Sequence, residues 1–201
     1  MAHIKNASLS LWLDTATDYL WIAVSEGQIV LKEHYAKGHN NHSTTLMPTL
    51  DAMLQSLNIS AQNLKQIVVG VGPGSYTGSR IGVVVAKTLA HTLKIPLYRI
   101  SSLALMASSV SHCAVCAAID ARRSAVFAGR FQTKDEPKVL TSERYTTLST
   151  FQHPEDCVLF EGRPNIQRAE VFTHLVTDVH GLTPQYLRQT EAEANHDRQT
   201  D

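Results

Sequence analysis

The residues Val71 to Gly82, V-G-P-G-S-Y-T-G-S-R-I-G, follow an apolar run and open a helix-like segment, and the chemistry they offer lies in the backbone. Glycine at 72, 74 and 78 permits dihedral angles that a β-carbon forbids, so peptide N–H groups can converge at the start of a helix. Such a cradle suits an anion. Gly72, Gly74, Ser75, Thr77 and Gly78 are therefore candidate phosphate or anion ligands. The stretch is not a Walker loop, because five residues separate Gly72 from Gly78 and Ser79-Arg80 stands where Lys-Ser/Thr is required. It is not a nucleophile elbow either, since Ser75 lacks the G-x-S-x-G frame. The alternative is a tight strand-to-helix turn that holds no ligand.

Two further constellations bear on metal or redox chemistry. Cys113-Ala-Val-Cys116 lies in a small, apolar run that reads as a buried strand, where residues three apart face opposite ways and cannot share a metal, so both cysteines read as core. His39-Asn-Asn-His42 has no acidic residue or cysteine nearby to complete four-coordination and reads as a solvated loop or helix cap. No metal site is expected. Eighteen basic and eighteen acidic side chains give a formal net charge of zero, so no global field gathers nucleic acid. Any service to RNA would depend on a partner for its grip. The polar first ten residues and the absence of a long apolar run place the chain in the cytoplasm and off the membrane.

The elements that must carry these residues repeat. From Leu9, three short β-like runs separated by turns form two hairpins with Asp14 at the first bend. A helix is expected over Ser43 to Leu57, awkward at Pro48, followed by strand Gln66–Val71, the glycine loop, helix Ser79–Leu93, strand Ile95–Ile100 and a helix opened by Ser101-Ser102. The opening then returns, with strand Val115–Asp120 ending in aspartate, the turn Ala121-Arg122-Arg123, and strands Ser124–Phe131 and Lys138–Tyr145. Asp120 holds the place of Asp14. Leu148–His153 reads as a short helix, Cys157–Phe160 as a strand and Ile166–Leu175 as a helix. This predicts an α/β chain of two lobes, 9–111 and a reduced 112–188, each opening with a βββ meander, and a polar tail over 189–201.

Two lobes that each begin β, aspartate bend, β, β resemble the actin, sugar-kinase and heat-shock ATPase (ASKHA) fold. Within it, L-D-T-A-T at 13–17, H-S-T-T-L-M-P at 42–48, the glycine loop at 71–82, A-I-D-A-R-R at 118–123 and L-T-P-Q-Y-L-R at 182–188 resemble the TsaB (YeaZ) family. These are bacterial partner proteins in making the threonylcarbamoyladenosine modification of tRNA. The chain is short between Leu175 and Thr183, where relatives carry more helix. The resemblance implies a non-catalytic subunit that dimerises with a TsaD-like catalytic subunit and is joined by a TsaE-like ATPase. It also implies that ATP or ADP and metal belong to those partners and that tRNA is met only through the complex; the two apolar helices of the first lobe are expected to be able to self-associate as a homodimer when the partner is absent.

The residues fit that role better than independent catalysis. An ATPase of this fold needs glycines in both aspartate bends and a glycine-rich adenosine loop, whereas Ala16, Ala121 and Arg122 crowd the bends and the second lobe has no paired glycines after Gly129. Asp14 and Asp120 remain candidates for a degenerate nucleotide site with magnesium between them, or for simple turn formers. No H-E-x-x-H occurs, and the His39/His42 spacing is not the catalytic relative's H-x-x-x-H, so a metallopeptidase is the least favoured reading. Along the second helix Gly78, Gly82, Ala86 and Ala90 make a small-residue stripe beside a bulky one that includes Val85 and Leu89. Paired with Leu46, Met47, Leu50, Met53 and Leu54 of the first helix, it is the expected partner interface. The alternative is that the protein's own helices cover both faces.

Overall fold

The computed structural model describes residues 8–38 and 41–187. His39 of the His39/His42 pair, Arg188 of the last motif and the expected tail over 189–201 lie outside the described residues. Strands β1 (Leu9–Asp14), β2 (Tyr19–Glu26) and β3 (Ile29–Lys37) form the expected meander, followed by helix α1 (His42–Ser56), β4 (Leu64–Gly70), α2 (Tyr76–Leu93), β5 (Leu97–Ile100) and the short helix α3 (Ser102–Ala107). The second half runs β6 (Val115–Asp120), β7 (Val126–Gln132), β8 (Lys138–Thr146), α4 (Leu148–Phe151), β9 (Cys157–Leu159), α5 (Ile166–Ala169) and β10 (His174–Leu175). Two mixed sheets result, ordered β10-β5-β4-β1-β2-β3 and β8-β7-β6-β9.

Strand β1 is buried on both faces because it lies mid-sheet, antiparallel to β2 and parallel to β4 with Leu13 opposite Val69. Its period-two pattern separates two layers. Leu9, Leu11 and Leu13 pack under α1 and α2, while Trp12 points into the opposite layer with Trp21 and Val68. That layer continues through α3, whose six residues are all buried, to Val115, Ala117 and Phe131 of the second sheet. A helix apolar all round must be covered all round, and α3 is covered by the two sheets between which it lies. The lobes therefore share a core.

Several boundaries differ from the sequence reading. Helix α2 starts at Tyr76 rather than Ser79, because Ser75 caps it by accepting a bond from the Gly78 N–H at 3.1 Å. Helix α1 starts at His42 and continues unbroken past Pro48. Cys113 is exposed and precedes β6, while Cys116 is buried within it, where burial pushes its thiol up to about 11. The helix from Ile166 ends at Ala169. A 3₁₀ turn over Glu170–Phe172 follows, and β10 then pairs antiparallel with β5. The open edge of β5 competes successfully for this segment, since it offers a row of unpaired backbone groups.

The chain thus returns to its first sheet after residue 172, inside the stretch that the sequence assigns to the second lobe. From there residues 176–187 form a strap over α2. The Val176 N–H donates to Leu97 O at 2.8 Å, and Lys87 Nζ donates to His180 O and Leu182 O at 2.6 and 2.9 Å. Leu182 enters the core under α2, and the Gln185 N–H donates to Val71 O at 2.8 Å. The Gln185 amide also reaches the other lobe, donating to Glu143 Oε2 at 2.9 Å.

Candidate functional site

The glycine loop closes onto the first aspartate bend. Gly74 has φ +158°, and a β-carbon there would stand 2.2 Å from Ala16 O. One on Gly78 would stand 2.2 Å from Thr15 O. The glycines thus admit the chain's own backbone where a phosphate cradle would admit a ligand. The amides follow the same arrangement. The Ser75 N–H donates to Ala16 O at 2.7 Å, the Gly72 N–H to Ser102 Oγ at 3.0 Å and the Gly78 N–H to Ser75 Oγ. Thr15 completes the lock, donating its hydroxyl to Gly78 O at 2.7 Å and accepting the Gly82 N–H at 3.0 Å. Of the proposed anion ligands, Gly72, Ser75 and Gly78 therefore spend these amides within the protein, which corrects the picture of a cradle open to phosphate. Gly74 lies against Ala16, and Thr77 is an exposed first-turn residue of α2.

Asp14 is 4% exposed. Its Oδ1 accepts the Ala16 N–H at 3.1 Å and the Ser102 hydroxyl at 2.9 Å, and Gly70 lacks the side chain that would strike it. Burial raises its pKa, opposed by these bonds. Asp120, by contrast, is exposed and accepts the Arg122 N–H at 2.9 Å in a local Asx turn. Arg122, Arg123 and Ser124 beside it all have positive φ. One aspartate fastens a buried crossing and the other shapes a surface hairpin. Among the described residues no group of three or more acidic, histidine or cysteine side chains could hold a metal.

The expected partner interface is corrected face by face. Leu46, Leu50, Met53 and Leu54 of α1 are buried in the chain's own core, as are Gly82, Ala86 and Ala90 of α2. Gly78 is buried against Thr15. The small stripe points inward because it lets α2 lie close on β1, so Gly82 meets Thr15 and Leu13 rather than a second protein. Met47, 46% exposed, and Val84, 60% exposed, are the outward apolar side chains, flanked by the half-buried Ile81, Val85 and Leu89. At the N-terminal end of α2 the exposed Tyr76 and Tyr186 bracket Arg80, which stands 3.9 Å from the Tyr76 ring centroid and donates to the Tyr186 hydroxyl at 2.8 Å.

Comparison with known proteins decides the family. Residues 33–180 match the family model described as TsaD, tRNA N6-adenosine threonylcarbamoyltransferase. The tRNA threonylcarbamoyladenosine biosynthesis protein TsaB of Bacillus subtilis is 32% identical over 92% of this chain and 96% of its own length. The chain belongs to the TsaB family. The TsaB of Escherichia coli is 31% identical over 63% of this chain and 55% of its own. Among solved structures, YeaZ from Pseudomonas aeruginosa is 32% identical over 73% of this chain and 71% of its own, with a TM-score of 0.66. A second P. aeruginosa protein, described as similar to peptidase YeaZ, shares the fold at a TM-score of 0.78 and 24% identity, covering 90% of this chain and all of that one. The two-lobed fold expected from the repeated meander is the fold of these TsaB relatives.

Sequence reading found the bends, the glycine loop and the two helices of this TsaB-family chain. It missed Thr15 and Ser102, hydroxyls that hold the loop from 63 and 30 residues away respectively. Their signal was present in the L-D-T-A-T motif and in the Ser101-Ser102 pair, where Ser101 caps α3 and leaves Ser102 facing Asp14.

Proposed function

We propose that this chain is a non-catalytic subunit in tRNA threonylcarbamoyladenosine synthesis, binding a TsaD-like catalytic subunit through the outward face of α1 and α2. The observation that carries the reading is the closure of the glycine loop. Its Gly72, Ser75 and Gly78 amides bond to Ser102, Ala16 and Ser75, so those donors of a nucleotide-handling loop are used for folding. The surface left for work is apolar. Met47, Ile81, Val84, Val85 and Leu89 replace the inward stripe as the contact residues, a group of side chains whose burial against another helix pair is favourable in proportion to the area removed from water. On this reading a TsaE-like ATPase joins the pair, nucleotide and metal belong to the partners, tRNA is met only through the complex, the complex works in the cytoplasm, and the same helices self-associate when TsaD is absent.

The test replaces Val84 by aspartate. The side chain is exposed, so the isolated fold tolerates the change within about 0.5 kcal/mol. A carboxylate desolvated at the centre of an apolar contact weakens the complex by at least about tenfold, or about 1.4 kcal/mol. Analytical ultracentrifugation with the TsaD-like subunit reads the affinity, and reconstituted modification of tRNA reads the consequence. Unchanged affinity in a folded Val84→Asp protein overturns the interface, and full-rate product with the chain omitted overturns the role.

A further inference from the structure

Away from α1 and α2 a cleft of about 310 Å³ opens between the β2–β3 hairpin, Ser109 two residues beyond α3, and the segment 163–168. We propose that it binds a small metabolite carrying a carboxylate or phosphate group. The volume is at the lower end of small-molecule sites, roughly 300–1,000 Å³, which suits a compact ligand rather than a macromolecular segment. Two guanidinium groups and one carboxylate line it, those of Arg163, Arg168 and Glu33.

The carboxylate is already spent. Glu33 accepts the Trp21 indole N–H on Oε1 at 2.7 Å and Arg163 on Oε2, through Nε at 2.9 Å and through Nη2. The Glu33 bond is the first cause of the raised Arg163 pKa, so that guanidinium stays charged. Arg168 is different. It is half-buried and held rigid by two main-chain oxygens, donating through Nε to Ser108 O at 2.6 Å and through Nη2 to Ser109 O at 3.0 Å, yet it pairs with no carboxylate among the described residues. Its charge therefore meets no counter-ion among the described residues, and with Nε and one Nη2 hydrogen spent on those carbonyls, the remaining Nη donors of this fixed, planar guanidinium are matched to an oxyanion. Asn165 and Gln167 add amides, while Val30 and the buried Ile166 supply an apolar wall for the ligand's body. Glu170, the nearby carboxylate outside the lining, is engaged by the Gln28 amide at 2.9 Å.

Isothermal titration of the full chain with citrate and, separately, with ribose 5-phosphate tests the site. Saturable binding is expected with at least one of them, and the better probe identifies carboxylate or phosphate as the recognised group. Gln167→Glu places a negative charge on the exposed rim without touching the bonds of Arg168, and weakens that binding by about tenfold. Arg168→Gln abolishes it. Should Arg168→Gln fail to fold, Gln167→Glu alone decides. No heat from either probe at roughly 5 mM, or binding that Gln167→Glu leaves unchanged, overturns the proposal. Val84→Asp must retain the binding, which separates this site from the partner face.

Discussion

Gly82 is where α2 lies closest to the first strand, and Gly82→Ala measures how much that closeness is worth. The added β-carbon would stand 2.5 Å from Thr15 Oγ1 and 3.3 Å from Leu13 Cδ1. Leu13 can yield by a few tenths of an ångström, but Thr15 is held by two bonds and sits 0% exposed. Overpacking a fitted core costs about 1–3 kcal/mol. If Thr15 rotates away, a stranded buried polar group adds about 1–3 kcal/mol. Alanine returns about 1 kcal/mol through its better helix propensity. The net loss is about 3 kcal/mol, a fall in melting temperature of roughly 6–12 °C for a chain of this size. Urea unfolding followed by far-UV circular dichroism reads the loss as a lower midpoint with an unchanged slope. A second background isolates the cause. With Thr15→Ala already present the obstruction is gone, so Gly82→Ala should cost about 1–3 kcal/mol less than in the wild type. Equal cost in both backgrounds, or no loss at all, refutes the argument that the small stripe exists to seat α2 on β1.

Two charged positions give further tests. Asp14→Ala strands the Ala16 N–H and the Ser102 hydroxyl and loses about 1–3 kcal/mol, whereas Asp14→Asn keeps an acceptor without the buried charge and leaves stability at pH 7 equal or higher. Because the folded-state pKa of Asp14 is raised, its protonated form is favoured on folding: that contribution is full below the ordinary carboxyl value of 3.8 and is lost as pH rises through the folded value, a dependence that chemical denaturation across pH should find absent in Asp14→Asn. In the second sheet Arg130 grips Asp156, at 2.8 Å from Nε to Oδ2, and both side chains are almost fully buried. Burial alone would raise the Asp156 pKa, but the bonds from Arg130 and from the His153 N–H outweigh it and hold the carboxyl below 3.8. The pair therefore stabilises above pH 3.8 and fails as pH falls through the lowered value. Asp156→Ala should cost about 3–5 kcal/mol at pH 7, with the gap to wild type closing in acid. A pH-independent gap counts against the pair.

Local periodicity made the meanders, both long helices and the strand-to-helix loop legible, because β1 alternates Leu11, Trp12, Leu13 and α1 repeats Leu46, Leu50, Met53 at helical spacing. The same patterns could not say which protein covers a face. Gly78, Gly82, Ala86 and Ala90 look alike whether they admit a neighbouring subunit or the chain's own sheet, and only the position of Thr15 beneath them resolves the choice. Nor could composition reveal that a loop rich in glycine would close on the carbonyls of Thr15 and Ala16, since that contact joins segments some 60 residues apart. The segment 166–175 was misread for a related reason. Its apolar residues fit a helix, and the pull of the vacant β5 edge is a tertiary effect with no local trace.

The strap has a consequence in time. A ribosome releases β1 through α2 early, yet the first sheet lacks its β10 edge and α2 lacks the Leu182 anchor until residues 174–187 emerge. The earliest part of the chain is thus completed last, by contacts of long sequence separation that slow folding. Until then Lys87 lacks the His180 and Leu182 carbonyls that it bonds in the finished fold, and the apolar flank of α2 lacks Leu182. An interrupted chain would present α2 without the strap that anchors it, so the fold makes the emergence of residues 174–187 a condition for a fully supported α2.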